Sequence, residues 1–103
     1  MEKQQNYLII KGTKYTLEFF KESRNYSGET NFIEKTVSVE ALQSKYELKK
    51  IIYHELLHAY FYECGLIQYA KDETLVYFLE NMLFEILDNL DLATEIYKKG
   101  LKK

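Results

Sequence analysis

The stretch from Ser44 to Gly65, SKYELKKIIYHELLHAYFYECG, decides the fold class because it carries a clear helical pattern. Ser44 and Glu47 fit a capping box, in which a serine precedes the helix and a glutamate three residues later bonds back to it. Gly65 is typical of the position just after a helix. Apolar side chains recur between these ends at helical spacing: Leu48, Ile51, Ile52, Leu56, Ala59 and Tyr60. We therefore predict a first long helix over residues 45–63.

The forty residues before this helix alternate in the manner of β-strands. Residues 7–20 contain two apolar-rich runs on either side of a glycine-threonine turn, which predicts a β-hairpin. Residues 21–31 are rich in serine, asparagine and glycine, and this composition predicts a loop. Residues 33–40 alternate again and predict a third strand. Its polar positions Thr36 and Ser38 suit a sheet edge that stays in contact with water.

A second helical pattern begins near Asp72, after a connection over residues 65–71. Its apolar face comprises Leu75, Val76, Leu79, Met82, Leu83, Ile86, Leu87 and Leu90. This helix either continues to Lys99 or restarts at Asp91. Together the elements predict an α+β fold, in which a small antiparallel sheet of about three strands packs on two long helices.

The composition is that of one soluble globular domain spanning residues 1–103. Apolar residues make up 47% and charged residues 29%, which excludes bulk disorder and collagen-like structure. The net charge is −2, so electrostatics gives no reason to expect nucleic acid or an anionic membrane as a partner. The single cysteine, Cys64, and the lack of an apolar run of membrane-span length favour a cytoplasmic location.

Residues 54–58 read His-Glu-Leu-Leu-His, the H-E-x-x-H pattern, in the middle of the first predicted helix. Residues four apart lie on one helix face, so the His54 and His58 imidazoles can converge on one Zn²⁺. Glu55 is rotated by about 100° from His54 and therefore flanks the metal rather than binding it. From there its carboxylate can accept a proton from a water that the metal activates. The pattern predicts a zinc site with Glu55 as general base.

A catalytic zinc of this type needs a third protein ligand and one open position. The chain has no third histidine, and Cys64 lies on a different helix face from His58. Glu63, five residues after His58, cannot easily turn back to the metal. Two candidates remain on the second helix. A tight helical hairpin favours Glu80, whereas a connection that first runs back along the first helix favours Glu73.

The segments HELLHAYFYECGL (54–66) and DETLVYFLENML (72–83) resemble small metallopeptidase domains of the minigluzincin and ImmA/IrrE-like type. The similarity covers about residues 7–90 and points especially to short versions encoded by phages and prophages of Gram-positive bacteria. It implies a zincin-like fold. In such proteins a glutamate that opens the second segment completes the metal site, and Glu73 matches that position. A small residue commonly stands where this chain has Glu80.

The resemblance implies zinc-dependent hydrolysis of peptide bonds, with the metal bound by His54, His58 and Glu73. The expected partner is a peptide or protein substrate, which could bind as an added strand along the edge of the strand at 33–40. The alternative is a binding module that acts on a host or phage protein, with a structural metal or none. If the protein is phage-encoded, its expected location is the cytoplasm of the host cell.

Overall fold

The computed structural model describes residues 6–41 and 44–101, which form a four-stranded sheet and three helices. The strands are β1 (Tyr7–Ile10), β2 (Thr13–Phe20), β3 (Gly28–Asn31) and β4 (Thr36–Glu40). The helices are α1 (Lys45–Glu63), α2 (Ile67–Ala70) and α3 (Glu73–Leu101). The α+β class is confirmed, and two of these helices are long. Within these two ranges, no helix has the length and apolar character needed to cross a membrane.

The sheet is mixed, with strand order β1-β2-β4-β3. β1 and β2 form the predicted antiparallel hairpin, whereas β4 pairs with β2 in parallel and with β3 antiparallel. The expectation of an antiparallel sheet of about three strands is therefore wrong in both respects. β3 lies inside the segment 21–31, for which the composition predicts a loop. Its residues, Gly-Glu-Thr-Asn, have no apolar alternation, and the backbone pairing with β4 is what makes them a strand.

β4 is an inner strand, so the wet edge predicted at Thr36 and Ser38 is wrong. The strand begins at Thr36 rather than at residue 33, because residues 32–35 form a turn. The Asn31 side-chain oxygen accepts hydrogen bonds from two backbone N–H groups of this turn, at 3.0 and 2.8 Å. The turn folds β3 back along β4 and makes β3 the outer strand of the sheet.

The helices follow their sequence signals closely. α1 has the predicted bounds, and Ser44 Oγ accepts a hydrogen bond from the Glu47 N–H at 3.1 Å. The helix ends before Gly65, whose positive φ of 82° suits a glycine. The predicted connection contains the short helix α2. α3 begins directly after Asp72, whose side chain caps its first turn, and continues without a restart to Leu101.

The hydrophobic core lies between the sheet and α1. Its fully buried members are Ile10, Tyr15, Val37, Val39 and Ala59. α3 packs on α1 through Phe84, whose ring centroid lies 5.2 Å from that of Tyr53 and 5.9 Å from that of Tyr46. Helix α1 therefore contacts both the sheet and α3, and side chains on its different faces are positioned by different partners.

Glu63, the last residue of α1, ties the helix to the sheet. Three donors reach its carboxylate: Thr13 Oγ1 at 3.1 Å, Tyr15 OH at 2.7 Å and Lys35 Nζ at 2.6 Å. The Lys35 hydrogen bond is the main reason that the pKa of Glu63 lies below its ordinary value. Burial, followed by the hydrogen bond to Glu63, raises the pKa of Tyr15. A lowered pKa means that Glu63 stabilises the fold above its unfolded pKa of about 4.3, and that this contribution is lost as the pH falls through the folded pKa.

Replacing Glu63 with glutamine should lower the free energy of unfolding at neutral pH by about 1–3 kcal/mol, because charge-assisted hydrogen bonds are lost. The difference between wild type and Glu63→Gln should shrink as the pH falls below about 4, where the wild-type carboxylate is protonated. Urea unfolding at neutral and acidic pH measures both quantities. Glu95→Gln, at an exposed position of α3, is the control and should have no effect. An equal loss at every pH would contradict an ionic contribution from Glu63.

Candidate metal centre

Two histidines of α1 and the first residue of α3 bring three ligand atoms together. His54 Nε2 lies 3.0 Å and His58 Nε2 lies 3.2 Å from Glu73 Oε1, and the two nitrogens are 3.3 Å apart. A tetrahedral zinc with bonds of about 2.0–2.1 Å holds its ligand atoms about 3.3 Å from one another. His54, His58 and Glu73 therefore form a group that could hold a metal ion.

The path of the chain between α1 and α3 makes this convergence possible. His54 and His58 are four residues apart and lie on one face of α1. The chain then turns at Gly65, and α2 packs back against α1 before α3 begins. Glu73, at the first position of α3, is thereby returned to the level of the histidines. Of the two chain paths compatible with the sequence, the structure has the one that runs back along α1.

The outer nitrogen of each imidazole determines where its lone pair lies. His58 Nδ1 donates a hydrogen bond to the backbone carbonyl of Ala70 at 2.5 Å, and His54 Nδ1 donates to Glu80 Oε1 at 2.8 Å. In the neutral tautomer that carries its hydrogen on Nδ1, a histidine ring has its lone pair on Nε2. With both rings in that form, the two Nε2 atoms and Glu73 Oε1 would direct lone pairs to one point. A cation at that point would attract all three atoms.

Glu80 occupies a different place from Glu73, although both are on α3. It is only 6% exposed and contacts the outer nitrogen of His54, and its second oxygen lies 3.8 Å from Lys50 Nζ. Glu73 and Glu80 are seven residues apart, about 10 Å along the helix axis, so only one of them can reach the inner nitrogens. The structure brings Glu73 to the three-atom group and leaves Glu80 to orient the His54 ring, as carboxylates behind metal-binding histidines do.

Glu55 stands beside the three ligand atoms without joining them. Its side chain is buried, and its Oε1 accepts a hydrogen bond from Thr30 Oγ1 at 2.8 Å. Burial is the largest influence and raises the pKa of Glu55 above its ordinary value. The Thr30 hydrogen bond and the charges of the neighbouring histidines act in the opposite direction. A carboxylate in such surroundings is suited to exchanging a proton.

Two clefts adjoin the group. One, of about 490 Å³, is lined by His54 and Tyr77, and the other, of about 310 Å³, is lined by His58. The residues that line both clefts are Tyr26, Gly28, Glu55 and Glu73. A molecule that occupied both clefts would therefore pass directly over the candidate metal ligands and the Glu55 carboxylate.

Strand β3 contributes two residues to which the sequence did not point. Thr30 binds the Glu55 carboxylate, and Gly28 allows β3 to approach α1 closely. A Cβ atom at Gly28 would lie 2.7 Å from Ile51 Cγ2 and 3.0 Å from Glu55 Oε2. Gly28 was the one sequence signal of this close approach. A glycine among polar residues is, however, typical of a turn as well as of a close backbone approach.

No protein-family model, curated protein or solved structure matches this chain. The resemblance of the two quoted segments to small H-E-x-x-H peptidase domains therefore remains a prediction. The function of the protein has to follow from the chemistry of the site itself.

Glu73→Ala should weaken zinc binding more than Glu80→Ala does. The first change removes one of three converging ligand atoms, whereas the second removes an acceptor behind His54, a loss that typically costs about 10–100-fold in affinity. Competition with a chromophoric zinc chelator measures both affinities. Glu85→Ala, at an exposed position on the same helix, is the control and should bind as wild type does. The reverse order of the two effects would place the third ligand at Glu80.

Gly28→Ala should lower the free energy of unfolding by about 1–3 kcal/mol, because the added methyl group overlaps Ile51 and the Glu55 side chain. Gly100→Ala is the matched control. It lies within α3 with nothing near its Cβ position, so it should stabilise the helix by up to about 1 kcal/mol. Urea unfolding of the two variants gives both values. A Gly28→Ala protein as stable as wild type would contradict the close approach of β3 to α1.

Proposed function

We propose that this protein is a zinc metallopeptidase with a zincin-like fold, in which His54, His58 and Glu73 bind the metal and Glu55 is the general base. The main support is the convergence of three potential ligand atoms beside a separate, buried carboxylate, that of Glu55. Catalytic zinc sites have three protein ligands and one open position, whereas structural sites are closed by four. Within residues 6–41 and 44–101, the group of potential ligands has three members.

The donor set favours zinc among the common metals. Two imidazole nitrogens and one carboxylate oxygen form the His₂Glu combination found in zinc peptidases. When bound, zinc acts as a Lewis acid that lowers the pKa of water and polarises a carbonyl group. The contacts of the two outer nitrogens, to Ala70 and Glu80, hold the rings in the orientation that this requires.

Glu55 carries the proton transfers in the proposed reaction. Hydrolysis breaks the C–N bond of the peptide, leaving a hydroxyl group on the carbonyl carbon and an added hydrogen on the nitrogen. The Glu55 carboxylate accepts a proton from the attacking water and then donates it to the leaving amine, which restores the carboxylate. The hydrogen bond from Thr30 to Oε1 orients the carboxylate for both steps.

The proposed substrate is an extended segment of a peptide or an unfolded protein. β3 is an edge strand of the sheet, and its residues line the clefts beside the candidate metal ligands. An extended peptide can add to such an edge through backbone hydrogen bonds. From the sequence we expect the substrate to add along the edge of the strand at 33–40. Because β4 is paired with a strand on both sides, we propose the edge of β3 instead.

Glu55→Gln should reduce peptide cleavage by about 10²–10⁴-fold, because the amide cannot accept the proton. It should retain zinc, because Glu55 does not belong to the ligand group. The measurements are cleavage of a mixed peptide library by zinc-loaded protein and metal content by native mass spectrometry. Glu34→Gln, at an exposed position of the turn before β4, is the matched control and should cleave as wild type does.

The same samples separate the enzyme from a binding module. If zinc-loaded wild type cleaves no peptide, and wild type and Glu55→Gln capture the same protein partner equally well, the peptidase proposal is wrong and the fold serves as a binding scaffold.

A further inference from the structure

Two residues of β3 lie opposite the two oxygens of the Glu55 carboxylate. Gly28 and Thr30 are two positions apart, and positions with this spacing are on the same face of a strand. Thr30 Oγ1 donates a hydrogen bond to Glu55 Oε1 at 2.8 Å. A Cβ atom at Gly28 would lie 3.0 Å from the other oxygen, Oε2. The strand therefore places a hydroxyl group at Oε1 and no side chain at Oε2.

The two oxygens of Glu55 also differ in their access to water. Within residues 6–41 and 44–101, Oε1 accepts the hydrogen bond from Thr30, whereas no group donates to Oε2. Every fully enclosed side-chain nitrogen or oxygen in these ranges has a hydrogen-bond partner. Oε2 is therefore in contact with solvent, and the Glu55 side chain lines both clefts beside the candidate metal ligands.

The Thr30 hydroxyl lies within hydrogen-bond distance of a second oxygen of the same residue. Its Oγ1 is 3.0 Å from the backbone carbonyl oxygen of Glu55. A hydroxyl has one hydrogen and donates it to one strong acceptor at a time, and a charged carboxylate is a stronger acceptor than a carbonyl. The hydrogen therefore points to Oε1 while the carboxylate is charged. When the carboxyl group is neutral, the hydrogen has the backbone oxygen as its alternative acceptor without any movement of the strand.

We propose that Thr30 is a positioning residue, which fixes Oε1 of Glu55 so that Oε2 is the oxygen that exchanges the proton. The role rests on the peptidase function proposed above and assigns the two oxygens within it. Oε2 accepts a proton as the water oxygen bonds to the carbonyl carbon, whose π electrons move to the carbonyl oxygen. Those electrons return as the C–N bond breaks, and Oε2 gives the proton to the nitrogen. The terminal torsion of a glutamate is broad, so a contact at Oε1 is needed to keep Oε2 directed at the clefts.

Thr30→Val tests this role, and Thr13→Val is its matched control. Thr13 Oγ1 also donates to a glutamate of α1, since it lies 3.1 Å from Oε1 of Glu63, which is not part of the site. Valine keeps the branched shape and removes only the hydroxyl group. Zinc-loaded Thr30→Val should cleave peptide with a kcat about 10–100-fold lower, because the proton acceptor is misplaced, while its KM and zinc affinity stay unchanged. Thr30→Ser, which keeps the hydroxyl, should retain most of the kcat, and Thr13→Val should retain all of it.

NMR of protein labelled at the glutamate carboxyl carbons measures the same contact without metal or substrate. The Glu55 resonance, identified by its absence in Glu55→Gln, should shift in Thr30→Val and stay near its wild-type position in Thr30→Ser and Thr13→Val.

Three results would overturn the role of Thr30 in a wild type that cleaves peptide: an unchanged kcat in Thr30→Val, an equal loss of kcat in Thr13→Val, or a Glu55 resonance that Thr30→Val leaves in place. If zinc-loaded wild type cleaves nothing, the peptidase function itself is wrong, and the role of Thr30 falls with it even where Thr30→Val shifts the resonance.

Discussion

The convergence of three candidate ligand atoms is the constraint around which this structure is arranged. His54 Nε2, His58 Nε2 and Glu73 Oε1 lie 3.0–3.3 Å apart. They stay together because the atoms behind them are held by other contacts and because α2 returns the chain to the right level. A bound cation would contact all three atoms at once. Metal binding would for this reason be thermodynamically linked to the packing of α1, α2 and α3.

The helices and the sheet contribute different parts of the site. The helices supply the three candidate metal ligands. The sheet positions the Glu55 carboxylate, which accepts a hydrogen bond from Thr30 of β3. Gly28 allows β3 to lie this close to α1, because a larger residue there would push the strand away from Glu55. At the far end of α1, Glu63 binds β2 and the turn before β4 through three hydrogen bonds. The angle of α1 relative to the sheet, and with it the place of the Glu55 carboxylate, depends on contacts at both positions.

The parts of the structure that local interactions determine could be predicted from sequence, and the others could not. Helix α1 begins at the Ser44 cap and has the predicted bounds, because capping and apolar spacing act within a few residues. The choice between Glu73 and Glu80 depends on the route of residues 65–71, which tertiary packing decides. β3 is a strand only because β4 pairs with it, so its polar sequence gives no strand signal. The parallel pairing of β2 and β4 arises in turn because β3 reverses the chain between them.

The carbonyl that orients His58 belongs to the backbone of Ala70, and this has a consequence for how the site can change in evolution. Any residue at position 70 would present the same oxygen, provided that its side chain fits the buried space there. The orientation of His54, in contrast, depends on the side chain of Glu80 and can be lost by a single substitution. The carbonyl oxygen that accepts from His58 would be moved by an insertion or deletion in the segment between α1 and α3. The two histidines, although equivalent as candidate ligands, are therefore sensitive to different kinds of mutation.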